Sequence, residues 1–290
     1  MLTNISMARQ VSARLQAVAQ TLCADRGFQF AGDLGSGAFK VAFLIKHEGR
    51  DAALKLAEVP GSPERFIREV AALRSCGHPS IATVFDAFTI TDDDGRLVWV
   101  VIEEYLAGGT LEQRQAAHRL AIADIRAIGT SLAEVLGHLR DRRLVHRDIK
   151  PANILFRDTS SIPVLTDFGI VRMLDAPSLT HDFAAAGPGT PAYAAPEQLN
   201  NEKNLIDWRT DQFGLAVVLA EGILGRHPYQ SIGESVRDAI LKVSARSPLP
   251  DQTRLDLRAA GFGSLEQALE PWPVKRYRRP GDLVEAITNG

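Results

Sequence analysis

Cysteine is scarce: the 290 residues hold two, Cys23 and Cys76, and neither stands at ligand spacing from another Cys or a His. That excludes a disulfide framework and the familiar zinc patterns, and makes a reducing compartment the natural setting. An excess of charge of one sign is missing too. Lys plus Arg number 33 and Asp plus Glu 35, a net charge of −2, so nothing draws the chain as a whole toward DNA or RNA. Long apolar runs are absent. The longest, Phe213 to Gly225, carries Glu221 and falls short of the roughly 20 residues a bilayer span needs. Met1 to Leu22 alternates polar and apolar residues and lacks the apolar block of a signal peptide. These absences predict a soluble, cytoplasmic chain with neither a membrane nor a nucleic-acid partner.

Material for a core is present. Hydrophobic residues make up 45% and charged residues 23%, ordinary globular values, and the length suits one large or two small compact units. Val11, Leu15, Val18 and Leu22 recur at helical spacing, so residues 5–24 form a helix with one apolar stripe. That stripe caps the domain that follows, or serves as a docking or dimerising surface. Val41–Ile45 and Ala52–Leu56, joined by His-Glu-Gly-Arg, read as antiparallel strands. Ser62-Pro63 starts a helix running to about Arg74. Two more strands, Thr83 to Ile90 and Leu97 to Ile102, flank the turn at Asp92–Gly95. Beyond Gly108-Gly109 the pattern turns helical, with a long buried helix through Ile125, Ile128, Leu132, Val135, Leu136 and Leu139. Short strands at 154–156 and 163–166 follow, then an Ala-, Pro-, Gly- and Ser-rich loop from Asp175 to Gly189. The change of pattern near residue 105 separates a sheet-rich part from a helix-rich part.

Four constellations carry chemistry. Leu34-Gly35-Ser36-Gly37-Ala38-Phe39-Lys40-Val-Ala42 lies between two strands; glycines there let backbone N–H groups approach a phosphate, although Gly-x-Gly hairpins also occur without one. Lys55 is the one charge in an apolar strand and needs a partner. Glu69 shares a helix face with Phe66, Val70 and Leu73, which suits a Lys55–Glu69 pair, or else a snorkelling Lys and a boundary Glu. His146-Arg147-Asp148-Ile-Lys150-Pro-Ala-Asn153 gathers an acid, cations and an amide in one loop: a proton acceptor beside a hard-cation ligand and a phosphate-binding Lys. Asp167-Phe168-Gly169 ends an apolar strand, where an Asp can ligate magnesium or simply form a turn.

In order and spacing these segments resemble the signature set of the eukaryotic-like serine/threonine protein kinases: Gly-rich loop, strand Lys, helix Glu, His-Arg-Asp loop with its Lys and Asn, Asp-Phe-Gly, then Ala195-Pro196-Glu197. The likeness continues through His78-Pro79, Gly189-Thr190, Asp211 and Arg279-Pro280, covering about residues 28–287. The Ala-, Arg- and Leu-rich composition is similar to the bacterial branch. The resemblance implies an α+β, bilobal fold with an antiparallel-sheet N-lobe plus one helix over 27–104, a mainly helical C-lobe over 105–290, and residues 1–26 as a helical extension.

It also implies roles. Asp148 would orient a substrate hydroxyl and accept its proton, and Lys150 would steady the transferred γ-phosphoryl group of ATP. Asn153 and Asp167 would hold Mg2+. Lys55, fixed by Glu69, would grip the α- and β-phosphates beneath the loop Leu34–Lys40 and Ala42, while the backbone of Glu104 to Leu106 would bond adenine. A Lys two residues after the catalytic Asp is the serine/threonine pattern, so the partner is a protein substrate. Thr190 would link the substrate platform to Asp148 and Lys150, or else serve as an autophosphorylation site. Arg147 marks an activation segment switched by phosphorylation, with Ser178 and Thr180 the best-placed acceptors. Glu197 would pair with Arg279, and Asp211 would brace the catalytic loop.

Departures accompany the likeness. Lys40 stands where a third glycine is usual, Ala42 where a valine is, and Ala216 where the buried helix commonly has glycine. The alignment puts Glu103 at the gatekeeper position behind the adenine site, and a one-residue shift puts Ile102 there instead. The basic run Lys275–Arg279 reads as a solvated face. Two rival functions remain: a pseudokinase scaffold that binds without transfer, and a kinase of small molecules.

Overall fold

Alternating burial along the first strands builds an antiparallel sheet. The computed structural model describes residues 2–36, 40–58, 74, 76–168 and 190–290, with 2–9 and 190 described by backbone alone. The chain divides into two units, the first chiefly residues 1–77 and 82–106, the second chiefly 78–81, 107–168 and 177–290. The first holds α1 (Leu2–Arg26) and strands β1 (Gln29–Ser36), β2 (Lys40–His47), β3 (Arg50–Glu58), β4 (Val84–Thr91) and β5 (Leu97–Glu104). All adjacent strands are antiparallel, in the order β1-β2-β3-β5-β4. Glu48 (φ 49°) and Gly49 (φ 77°) close the β2–β3 hairpin with two left-handed residues, the combination whose twist matches the strands it joins.

Register sorts side chains to two faces, because residues directly opposite point the same way. Val41, Phe43, Ile45, Leu54, Leu56, Val98, Val100 and Ile102 form one buried face, and Leu15, Ala19, Leu22 and Cys23 of α1 pack into it. The stripe expected on residues 5–24 is therefore spent on its own sheet. The opposite face carries Ala42, Ala53, Lys55, Ala57, Trp99, Val101 and Glu103. The helix expected from Ser62 to Arg74, with Glu69, lies outside the described residues except for Arg74, which is helical.

The second unit is mainly helical: α2 (Leu111–Ala117), α3 (Ile122–Asp141), α4 (Pro196–Leu199), α5 (Trp208–Leu224), α6 (Val236–Ser244), α7 (Asp251–Ala259), α8 (Leu265–Ala268) and α9 (Pro280–Asn289), with a two-stranded ribbon of β6 (Ile154–Phe156) and β7 (Pro163–Leu165). α5 is apolar nearly all round and buried along almost its whole length, so it is the axis of this unit. α3 lies against both α5 and α9. A Cβ at Gly129 of α3 would stand 2.8 Å from Leu219 Cδ1 and 3.0 Å from Ile287 Cγ2, so the glycine permits that three-helix approach. The Asp175–Gly189 loop lies outside the described residues. No helix among the described residues is long and apolar enough to cross a membrane, and both cysteines are buried and free.

One expected pairing is corrected. Glu197 pairs with Arg276, not Arg279. The short 3-10 turn Pro273–Lys275 delivers Arg276 into the core, where its guanidinium and the Glu197 carboxylate are both 0% exposed. Nη1 donates to Oε1 at 2.8 Å and Nη2 to Oε2 at 3.1 Å. The carbonyls of Glu270, Arg209 and Pro271 take further N–H groups. Arg279 sits at the N-cap of α9 on the surface, too late in the chain to reach Glu197. The basic run is thus not wholly a solvated face: Lys275, Arg278 and Arg279 are exposed and Arg276 is buried.

Candidate active site

The loop 145–153, between α3 and β6, is fixed from below by α5. Asp211, in the first turn of that helix, accepts from the backbone N–H of His146 through Oδ2 and of Arg147 through Oδ1, each at 2.7 Å. Burial pushes the Asp211 carboxyl up to about 7, opposed by those two N–H donors. A carboxylate holding two successive amides imposes a sharp turn, and Arg147 duly adopts φ 67°. Its carbonyl accepts from Gln198 Nε2 at 2.8 Å, so the peptide units on both sides of Arg147 are held.

His146 ties this loop to the end of β7. Its Nε2 meets the Thr166 carbonyl at 2.9 Å and its Nδ1 accepts from the Asp148 N–H at 3.2 Å. A carbonyl can only accept, so the ring carries its proton on Nε2; burial lowers its pKa and keeps it neutral. The Thr166 N–H reaches back to the Asn153 carbonyl at 3.1 Å. Asp167 follows in a left-handed conformation, φ 64°, and the Phe168 ring packs edge-on against His146 at 4.7 Å. Asp167 and Asn153 therefore lie on segments joined by direct hydrogen bonds.

Asp148 is the centre of this loop. Its Oδ2 accepts from Lys150 Nζ and from Asn153 Nδ2, both at 3.0 Å, and its carbonyl from Asn153 Nδ2 at 2.8 Å. The Asp148 side chain is 21% exposed and that of Lys150 19%, enough to meet a ligand. With Nδ2 turned to Asp148, the amide oxygen is what Asn153 offers a hard cation, and Asp167 supplies a carboxylate. Hard oxygen donors of this kind suit Mg2+.

The first unit carries the other expected residues. Gly35 has φ 129°, its N–H bonds Asp33 Oδ1 at 2.6 Å, and it pairs with Ala42 across the hairpin. Leu34 and Ser36 are exposed, and Lys40 opens β2 opposite Ala57. Ala42 stands directly opposite Lys55. The Glu104 N–H donates to the Thr83 carbonyl at 2.9 Å and its carboxylate accepts from the Thr83 N–H at 3.0 Å; Leu106 is buried. Gly37, Ala38, Phe39, Glu69, Ser178 and Thr180 lie outside the described residues, as does the side chain of Thr190.

Two contacts were not foreseen. Lys55 Nζ is 2.5 Å from Glu103 Oε1, with side chains 12% and 8% exposed. The signal was there: an acid at the end of an apolar strand, on the face of Lys55 once register is known. Ile102 points instead into the face covered by α1, so Glu103 is the residue beside Lys55. The Tyr193 hydroxyl donates to Glu221 Oε2 at 2.5 Å, and burial raises both pKa values. Nothing in local spacing links those two.

Comparison with known proteins agrees with this geometry. Residues 28–274 match the model of the protein kinase domain. The chain is 34% identical over 282 residues to the serine/threonine-protein kinase PknF of Mycobacterium tuberculosis, covering 90% of this chain and 56% of that protein. It is 32% identical over 272 residues to the serine/threonine-protein kinase PknB of Mycobacterium leprae, covering 88% of this chain and 42% of that protein. The plant serine/threonine-protein kinase ATG1a of Arabidopsis thaliana is 27% identical over 258 residues. The chain thus spans about half the length of the curated relatives it matches. With that match running through both the sheet unit and the helical unit, the chain belongs to the protein kinase family, on its bacterial serine/threonine side.

Proposed function

We propose that this chain is an ATP- and Mg2+-dependent protein serine/threonine kinase, with residues 27–104 and 105–290 as its catalytic domain and 1–26 as an extension that caps the sheet. The observation that carries the reading is the Asp148 carboxylate, held at one oxygen by Lys150 and Asn153 on a loop braced by Asp211. Such a carboxylate is positioned to accept a proton and cannot swing away from it. Asp148 takes the proton of a Ser or Thr hydroxyl as the new O–P bond forms and the bond from phosphorus to the ADP oxygen breaks. Lys150 offsets negative charge on the transferred group, and Lys55 offsets that on the phosphates left behind. Asn153 and Asp167 would hold Mg2+, which would supply neutralisation of phosphate charge when bound. The loop Leu34–Lys40 with Ala42 covers the nucleotide, and the backbone of Glu104 to Leu106 holds its base.

Regulation follows the same reading. Ser178 and Thr180 are the acceptors of autophosphorylation, Arg147 is the cation that receives the new phosphate, and Thr190 supports the substrate platform. Two free, buried thiols suit a cytoplasmic setting. The test is incubation with Mg2+ and labelled ATP beside Asp148→Asn and Lys55→Met, followed by phosphosite mapping. Label on Ser or Thr is expected in the wild type alone. Nucleotide binding without transfer to the chain or to a generic protein substrate would make it a scaffold, and label confined to a small-molecule acceptor would overturn the protein-kinase assignment.

A further inference from the structure

The Lys55–Glu103 pair is built into the sheet. Lys55 stands opposite Val101 and Glu103 opposite Ala53, so the two are diagonal neighbours on adjacent strands, a separation that long side chains span. On one side of each the residue directly across is small, Ala42 for Lys55 and Ala53 for Glu103, with Val101 and Val84 on the other sides, which leaves room for Lys55 and Glu103 to turn toward each other. Both lie among buried neighbours, with Val101 4% and Trp99 1% exposed. An ion pair in such surroundings is far less screened than one on the surface. Its carboxylate also belongs to the same sheet as the amine.

We propose that Glu103 is a specificity-determining residue that sets nucleotide affinity by competing with phosphate for Lys55. This rests on the reading of Lys55 as a phosphate-binding residue. An ammonium has three donors, so Lys55 can bond a phosphate oxygen while keeping Glu103. The carboxylate then faces the incoming anion as a like charge and cancels part of the attraction. Glu103 therefore weakens binding of anything that carries phosphate and leaves binding of the bare nucleoside alone. In the nucleotide-free protein the same carboxylate keeps the Lys55 amine paired and in place.

The experiment is calorimetric titration of Mg·ADP and, separately, of adenosine into the wild type, Glu103→Gln and Glu103→Asp. Glu103→Gln keeps the size and removes the charge; Mg·ADP is expected to bind on the order of tenfold more tightly, the scale of one nearby like charge at reduced screening, with adenosine changed less than about twofold. Glu103→Asp withdraws the charge by one methylene while keeping a buried counter-ion, and is expected to give a smaller tightening of Mg·ADP alone. It decides the matter if the Gln variant does not fold. Unchanged or weaker Mg·ADP binding in the folded variants overturns the proposal, as does an equal shift for adenosine, which would indicate a change in the shape of the base site. A wild type that binds Mg·ADP and transfers phosphate while the variants match it refutes only the role of Glu103. A wild type that binds no nucleotide refutes the kinase reading along with it.

Discussion

Exchanging Arg276 for Met should cost this protein several kcal/mol, and the same exchange at Arg279, three residues on, almost nothing. Arg276→Met removes a two-pronged ion pair with Glu197 and abandons the carbonyls of Glu270, Arg209 and Pro271 in a fully buried site. Of the Glu197 partners, Thr210 Oγ1 at 2.8 Å remains, too little to compensate a buried carboxylate. Breaking a buried pair from one side costs about 3–5 kcal/mol, most of it the penalty of the charge left behind. Arg279 is exposed, so its loss should stay within about 0.5 kcal/mol. The double variant Glu197→Gln/Arg276→Met removes the stranded charge and should recover part of the deficit, giving a cost below that of Arg276→Met alone. Urea unfolding followed by circular dichroism and tryptophan fluorescence measures all three; Trp208 and Trp272 report on the second unit. The reasoning is refuted if Arg279→Met costs as much as Arg276→Met, or if the double variant is the least stable.

Asp211 gives the protein a pH dependence of definite sign. A carboxyl held near 7 in the fold and near its ordinary value when unfolded contributes stability that is present below about pH 4 and lost as pH rises through 7, an amount of about 4 kcal/mol. His227, buried and lowered to about 4, acts the other way, its contribution present above about pH 6.5 and lost as pH falls through 4. Asp211→Asn keeps the His227 contribution, so the wild type should lose stability relative to Asp211→Asn between pH 4 and 8, and a flat or rising difference in urea midpoints would refute the assignment. In the first unit, Leu15 is fully buried under the sheet, and Leu15→Ala should cost about 2–5 kcal/mol, against less than about 0.5 for the exposed Gln16→Ala. Equal unfolding midpoints for the two would show that α1 does not hold the sheet.

Local chemistry explains what could be read from the sequence. The hairpin of β2 and β3 shows as two short apolar runs about a turn, the long α3 as helical spacing, and the buried α5 as the longest apolar run. The Asp148 loop was legible for another reason: its acid, Lys and amide fall within a few residues and meet through local bonds. Contacts that depend on register were not. Sequence likeness puts Glu103 behind the adenine site, but its pairing with Lys55 needs the strand alignment that puts Ala53 opposite it. Arg276 and Arg279 sit in one basic run and look alike in sequence, and only the 3-10 turn before Arg276 sends that side chain inward. Gln198, which grips the Arg147 carbonyl, gave no signal, since a glutamine next to an acid has many ordinary uses.

The way Arg147 is held has a consequence for how such an enzyme can diversify. Its N–H is bound by Asp211 and its carbonyl by Gln198, so the backbone that presents Asp148 is held through main-chain atoms on both sides of Arg147. The Arg147 charge also acts on Asp211, so a neutral replacement would change the field at that carboxylate while leaving both main-chain bonds available. On the proposed reading, replacing the Arg147 side chain would alter what the site senses while these main-chain bonds still present Asp148, provided the new residue tolerates a left-handed backbone. On that reading, control and chemistry would occupy adjacent residues whose main chain is held by bonds of its own, so one could be rewritten without breaking the bonds that present the other.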